Sequence, residues 1–182
     1  MKYIALLRGI NVGGHNIIPM ATLKEIFESA KFKNVSTYIQ SGNVLFDSTV
    51  RDRETVHKKI DRLLLSSLGY KVTVFIQTVQ DLKNIVEKNP FHSSYKEGKT
   101  KLYMVFLEQQ PSNTQQQLLL AQQVQGMEFS FGTRVVYCLL DAKFKGNDSP
   151  FSNARVEKVL GQQATTRNWT TVHQLLKLGV EQ

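Results

Sequence analysis

Apolar and polar positions along this chain switch between two periods, and the order of the switches recurs. Tyr3 to Leu7 is a continuous apolar run, too short for a convincing helix and bounded by Gly9, which predicts a buried strand. Pro19 suits the first turn of a helix, and Leu23, Ile26, Phe27 and Ala30 then recur at helical spacing up to about Phe32. Val35, Thr37 and Ile39 alternate with Ser36, Tyr38 and Gln40, and Asn43-Val-Leu-Phe46 follows Ser41-Gly42, the pattern of a hairpin. A helix over about Arg53 to Leu68 shows Val56, Ile60, Leu63 and Leu64 on one face, after which Val72, Val74 and Ile76 alternate as another strand.

Thr78 and Asp81 have the spacing of a capping box, opening a short helix with Val79, Leu82, Ile85 and Val86 that Asn89-Pro90 ends. Residues 91–100 are polar and read as a boundary. The pattern then begins again. Lys101 to Leu107 predicts a strand, and Ser112 with Gln115 caps a helix carrying Leu118, Leu119, Ala121 and Val124, whose many glutamines form a solvated face. Met127 to Phe131, a Gly132-Thr133 turn and Arg134 to Leu140 make a second hairpin. A loop from Asp141 to Ser152, a helix from about Asn153 to Leu160, a short strand at Ala164 to Arg167 and a last helix from about Trp169 to Leu178 complete the chain.

Each half therefore repeats the order β-α-β-β-α-β. The expected fold is α+β: two ferredoxin-like subdomains, residues 1–90 and 101–182 joined by a linker at 91–100, with antiparallel sheets, helices packed on one face and an additional C-terminal helix. Right-handed crossovers place the first and third strands of each unit side by side and make the first and second strands parallel in direction. Their carboxyl ends then share one end of the sheet. In the first half this brings together the long loop from Gly9 to Pro19 and the hairpin turn at Gln40-Ser-Gly-Asn43.

Leu7-Arg-Gly-Ile-Asn-Val-Gly-Gly-His-Asn16, Tyr38-Ile-Gln-Ser-Gly-Asn-Val44 and Ala164-Thr-Thr-Arg-Asn-Trp-Thr-Thr-Val172 resemble the motifs of the bacterial domain-of-unknown-function family numbered 1697. The resemblance covers nearly the whole chain and implies two ferredoxin-like subdomains. It implies no established substrate, cofactor or catalytic residue.

Composition narrows the setting. With 182 residues, 41% hydrophobic and 21% charged, the chain has the make-up of a globular protein. Its single cysteine, Cys138, lies in a predicted strand and reads as a small core residue, so no disulfide forms within the chain. No apolar run approaches the ~20 residues of a membrane span, and Met1-Lys-Tyr-Ile lacks the apolar core of a secretory signal, which predicts a cytoplasmic protein without a membrane partner. The net charge of +8 is uneven: residues 1–101 hold 16 Lys/Arg against 9 Asp/Glu, whereas 102–182 hold 7 against 6. A basic first half favours anionic partners, either a phosphate- or carboxylate-bearing small molecule or nucleic acid.

The candidate chemistry gathers at the long loop. Arg8 supplies charge, Gly13 and Gly14 supply backbone donors, and Asn11, His15, Gln40, Ser41 and Asn43 supply orienting side chains around a small anion. Gly9 to Asn16 has the glycine spacing of a nucleotide-binding P-loop, but His15 replaces its lysine and Asn16 its metal-binding hydroxyl residue; the simpler reading is a structural loop whose glycines serve tight turns. Arg167 and Trp169 form a second candidate, an anion-binding guanidinium beside a stacking face; the simpler reading has Asn168 capping the last helix and Trp169 packing it down. The Asp141 to Ser152 loop, with Lys143, Lys145, Gly146 and Asn147, is a lesser candidate. The four histidines have no metal-ligand spacing with a carboxylate or cysteine, so neither a metal nor a cofactor is expected. No nucleophile and base pair up, and the sequence assigns no enzyme class and no oligomeric state. Tyr3 and Phe46 are the only strand aromatics placed where RNA-recognition domains stack bases.

Overall fold

The structure is a computed structural model that describes residues 1–14 and 16–181. It divides into two compact units, Met1–Lys83 with Gln174–Gln182, and Asn84–His173.

In the first unit, β1 (Lys2–Leu7), α1 (Met20–Ser29), β2 (Lys33–Tyr38), β3 (Asn43–Asp47), α2 (Arg53–Leu68) and β4 (Val74–Thr78) follow in order, and α3 (Val79–Glu87) begins directly after β4. The strands lie in the order β2-β3-β1-β4, every neighbour antiparallel. Opposing Tyr3 to Phe46, and Ala5 to both Val44 and Ile76, puts these side chains on one face. There they join Leu23 and Phe27 of α1 and Val56, Ile60 and Leu64 of α2 in a single core. The alternate residues Ile4, Leu6 and Leu45 are also fully buried, which explains why β1 reads as an unbroken apolar run.

The helix ends follow local chemistry. Asp52 caps α2 by accepting from the Thr55 N–H, and Gly69 closes it in a left-handed conformation. The Thr78–Asp81 box forms as expected: Asp81 Oδ2 accepts from the Thr78 amide and hydroxyl at 2.7 Å, and the Asp81 N–H reaches Thr78 Oγ1 at 3.1 Å. Arg53 adds an ion pair to the same carboxylate at 2.5 Å, tying the start of α2 to that of α3.

The second unit repeats the scheme with β5 (Thr100–Leu107), α4 (Asn113–Leu120), β6 (Met127–Gly132), β7 (Val135–Asp141), α5 (Asn153–Leu160) and β8 (Ala164–Asn168); α6 (Trp169–Glu181) follows β8 and belongs to the first unit from Gln174 on. Strand order is β6-β7-β5-β8, again all antiparallel. The fold is thus α+β with two ferredoxin-like βαββαβ arrangements and a C-terminal helix. The capping box of Ser112 and Gln115 is present in both directions, and Cys138 is buried.

Two local expectations fail in the second unit. The helix expected to carry Val124 ends at Leu120; the chain turns, Gln123 Oε1 accepts from the Phe129 N–H, and Val124 pairs with Met127 in an isolated bridge, 49% exposed. The second hairpin turns at Thr133-Arg134 rather than Gly132-Thr133, with Arg134 at φ 53°. Gly132 stays in the strand because a β-carbon there would stand 2.8 Å from Val135 Cγ1, so its smallness serves packing and not the turn. No helix among the described residues is long and apolar enough to cross a membrane.

Candidate functional site

Since β1 and β2 both run antiparallel to β3, their carboxyl ends lie at one end of the first sheet. The Leu7 N–H donates to Gly42 O at 2.8 Å, joining the long loop to the β2–β3 turn, and the Arg8 N–H donates to Thr73 O at 2.9 Å, joining it to the approach to β4. Three chain segments therefore meet around Arg8.

One side chain organises the loop. Asn11, in the left-handed region at φ 54°, donates from Nδ2 to Ile18 O at 3.0 Å and to Gln40 O at 2.9 Å, and its Oδ1 accepts from the Ile18 N–H at 2.7 Å. Asn16, at φ 50°, donates from Nδ2 to Gly9 O at 3.3 Å and accepts from the Asn11 N–H at 3.2 Å. Asparagine tolerates left-handed backbone and bonds locally to it, and two of them shape the part of the loop between its buried apolar anchors Ile10 and Ile18. Replacing Asn11 with alanine should cost about 1–3 kcal/mol, because the Ile18 amide and two carbonyls lose their partner. Amide hydrogen exchange at Ile18 and urea unfolding measure this. An unchanged Ile18 exchange rate would show that the loop holds itself without Asn11.

Of the residues expected in a polar pocket, Arg8, Asn11, Gly13, Gly14, Gln40, Ser41 and Asn43 are brought to this end of the sheet, whereas His15 lies outside the described residues. They differ in what they present. Asn43 is fully buried and donates to Tyr38 O and Ser41 Oγ, each at 3.0 Å, so it shapes the turn from within. Arg8, Asn11 and Ser41 are half-buried, while Gly13, Gly14 and Gln40 are exposed. Gly13 and Gly14 are consecutive left-handed residues, at φ 60° and 78°, and a β-carbon on Gly14 would have no atom within 4 Å.

The arrangement departs from a nucleotide-binding P-loop in two ways. Both neighbours of β1 are antiparallel, and α1 starts at Met20 with Pro19 at its cap, beyond the glycines. No helix terminus is aimed from the motif at a phosphate.

Sequence reasoning missed the apolar rim. Val12, Ile17 and Ile39 are 65%, 72% and 48% exposed, and Ile39 adopts φ 46°, an unusual conformation for a β-branched residue. The alternation of Ile39 with Tyr38 and Gln40 predicts a strand there, but β2 ends one residue earlier and the turn carries Ile39 outward.

The second candidate lies in the other unit. Arg167 is buried in β8, donating from Nη1 to Thr165 Oγ1 and Thr166 O at 2.9 Å each, and burial pushes its guanidinium pKa down to about 10. Asn168 Oδ1 accepts from the Thr171 N–H at 2.8 Å, the capping role expected of it. Trp169 is half-buried against Tyr95, with ring centres 6.3 Å apart, and against His173 at 4.0 Å. In the lesser candidate loop, Lys143 Nζ lies 3.6 Å from Asp141.

Tyr3 and Phe46 are fully buried in the first core, so neither offers a face to a base. Among the described residues, no group of three or more His, Cys, Asp or Glu could hold a metal ion.

Comparison with known proteins agrees with the architecture. The solved structure of conserved bacterial protein SP0830 from Streptococcus pneumoniae is similar with a TM-score of 0.71 across 97% of each chain at 20% identity, which shows a shared fold. No curated protein matches. The model of the family "Protein of unknown function (DUF1697)" matches residues 1–137, three quarters of the length, and the chain belongs to that family.

Proposed function

We propose that this protein binds a small molecule bearing a phosphate or carboxylate at the Arg8 to Asn16 loop. The observation that carries the reading is the exposed Gly13-Gly14 tip, two successive left-handed residues on a loop braced by Asn11 and rooted at Arg8. Exposed glycines carry no side chain to keep a ligand off, so an anion can approach their peptide N–H groups closely. Bracing before binding reduces the ordering entropy that a floppy loop would lose.

Electrostatics favours the same sign. Residues 1–24 and 29–46 contain no Asp or Glu, so the loop and the β2–β3 turn carry only cationic formal charges within these stretches. Arg8 is half-buried, where its field is less screened than that of an extended surface lysine. Gln40 and the Ser41 hydroxyl stand beside the loop to orient the bound group.

Replacing Arg8 with alanine is expected to weaken anion binding at least tenfold, because a charge-assisted hydrogen bond is worth roughly 1.5–3 kcal/mol. A thermal-shift screen with nucleotides, phosphorylated metabolites and short RNA and DNA oligomers, at low and moderate salt, checks this. A ligand at a hundredfold excess over its Kd stabilises the native state by ~2.7 kcal/mol. Shifts caused only by oligomers, and lost with salt, would replace the small anion with nucleic acid. Equal affinity in the Arg8→Ala protein would remove Arg8 from the site.

A further inference from the structure

Resting on the anion-binding reading above, we infer that the ligand of this loop is amphipathic: an acidic head group joined to a short apolar body that lies on Val12, Ile17 and Ile39. Three observations converge. These side chains are 65%, 72% and 48% exposed, although large β-branched groups gain most from burial. Each is one residue away in the chain from a group held by the same amide: Val12 follows Asn11, Ile17 precedes Ile18, and Ile39 precedes Gln40. With consecutive α-carbons about 3.8 Å apart, that clamp keeps the backbones of all three near one another. Ile39 is also held at φ 46°, where an asparagine or glycine would sit with less strain.

The surroundings say what covers the patch. The acid-free stretches on either side repel no anion, and Gly13-Gly14 lies between Val12 and Ile17 in the chain, so the proposed head-group donors adjoin two of the three apolar residues in sequence. A purely polar anion would leave three β-branched side chains in water. An uncharged apolar partner would make no use of the exposed glycine backbone or of the cationic charge of these stretches. A soluble alkyl or aryl phosphate or carboxylate uses both.

The test is a titration of the full chain with monoalkyl phosphates from methyl to octyl, followed by NMR chemical shifts and calorimetry. Affinity should rise about twofold to fourfold for each methylene that reaches the patch, then level off when the chain outruns it. In the triple variant Val12→Ser, Ile17→Ser, Ile39→Asn, the ratio of octyl to methyl affinity should fall toward one. Asparagine is chosen because it tolerates the left-handed backbone. Binding of methyl phosphate with a flat length series would overturn the amphipathic ligand and leave the anion site standing. No binding by any member, inorganic phosphate included, would overturn the anion reading itself. A rise that survives in the triple variant would place the alkyl chain elsewhere. Affinity for anionic lipid vesicles without any for soluble phosphates would replace the small ligand with a membrane surface.

Discussion

Phe46→Ala is expected to destabilise the protein by about 3–5 kcal/mol, the largest single effect in the first unit. Phe46 sits in the middle of β3 with no exposure, and its ring centre is 4.6 Å from that of Phe32, 5.3 Å from Phe27 and 5.8 Å from Tyr3. Truncation removes one ring from a cluster of four. The remaining three cannot close the gap easily, since Tyr3 is anchored by its hydroxyl to Val50 O at 3.2 Å and Arg51 O at 2.8 Å. Tilted aromatic contacts contribute roughly 0.5–1.5 kcal/mol each beyond the area buried. Urea unfolding monitored by tyrosine fluorescence and far-ultraviolet circular dichroism measures the loss. Leu118→Ala makes the control: Leu118 is 53% exposed, and the change should stay within about 0.5 kcal/mol. A Phe46→Ala loss as small as the control's would mean that this ring cluster is not the core of the unit.

Much of this architecture was legible because each strand and helix carries its own punctuation. Pro19 before α1, Gly69 after α2, the Thr78–Asp81 box and the Ser112–Gln115 box all act within a few residues, so local sequence suffices to place them. Strand order followed from the repeated β-α-β-β-α-β pattern and the handedness of crossovers. The meeting of the Arg8 loop with the Gln40 turn was legible for the same topological reason. What each residue does there was less so. Asn11 and Gln40 looked equivalent as side-chain amides, yet Asn11 braces the loop through its side chain and Gln40 receives that brace through its backbone carbonyl. Such a distinction depends on contacts between segments 29 residues apart, which no local pattern encodes. Val124 failed for a related reason: its helical spacing continues past Leu120, but β6 must pair with β7, and the sheet overrides the periodicity.

Gly42→Ala should cost about 2–5 kcal/mol and should weaken anion binding along with stability. Two physical contributions add. Gly42 has φ 76°, and an L-residue in left-handed backbone costs about 1–2 kcal/mol. A β-carbon would also stand 2.8 Å from two side-chain carbons of Ile10 and 2.9 Å from Leu7 Cβ. Leu7 is fixed in β1 and Ile10 is 1% exposed, so neither has open space to move into, and overpacking of this kind costs about 1–3 kcal/mol. The two contributions separate experimentally. Adding Ile10→Val removes the nearest terminal methyl and should restore part of the steric share, leaving the backbone share in place. Relief must also come at the site, because the Gly42 carbonyl receives the Leu7 N–H and the neighbouring Gln40 carbonyl receives Asn11. A shifted turn therefore releases both of these ties between the β2–β3 turn and the Arg8 loop. If Gly42→Ala proves as stable as the parent protein, the turn must reach its conformation without a glycine, and the Asn11 clamp would lose the fixed anchor on which the proposed anion site depends.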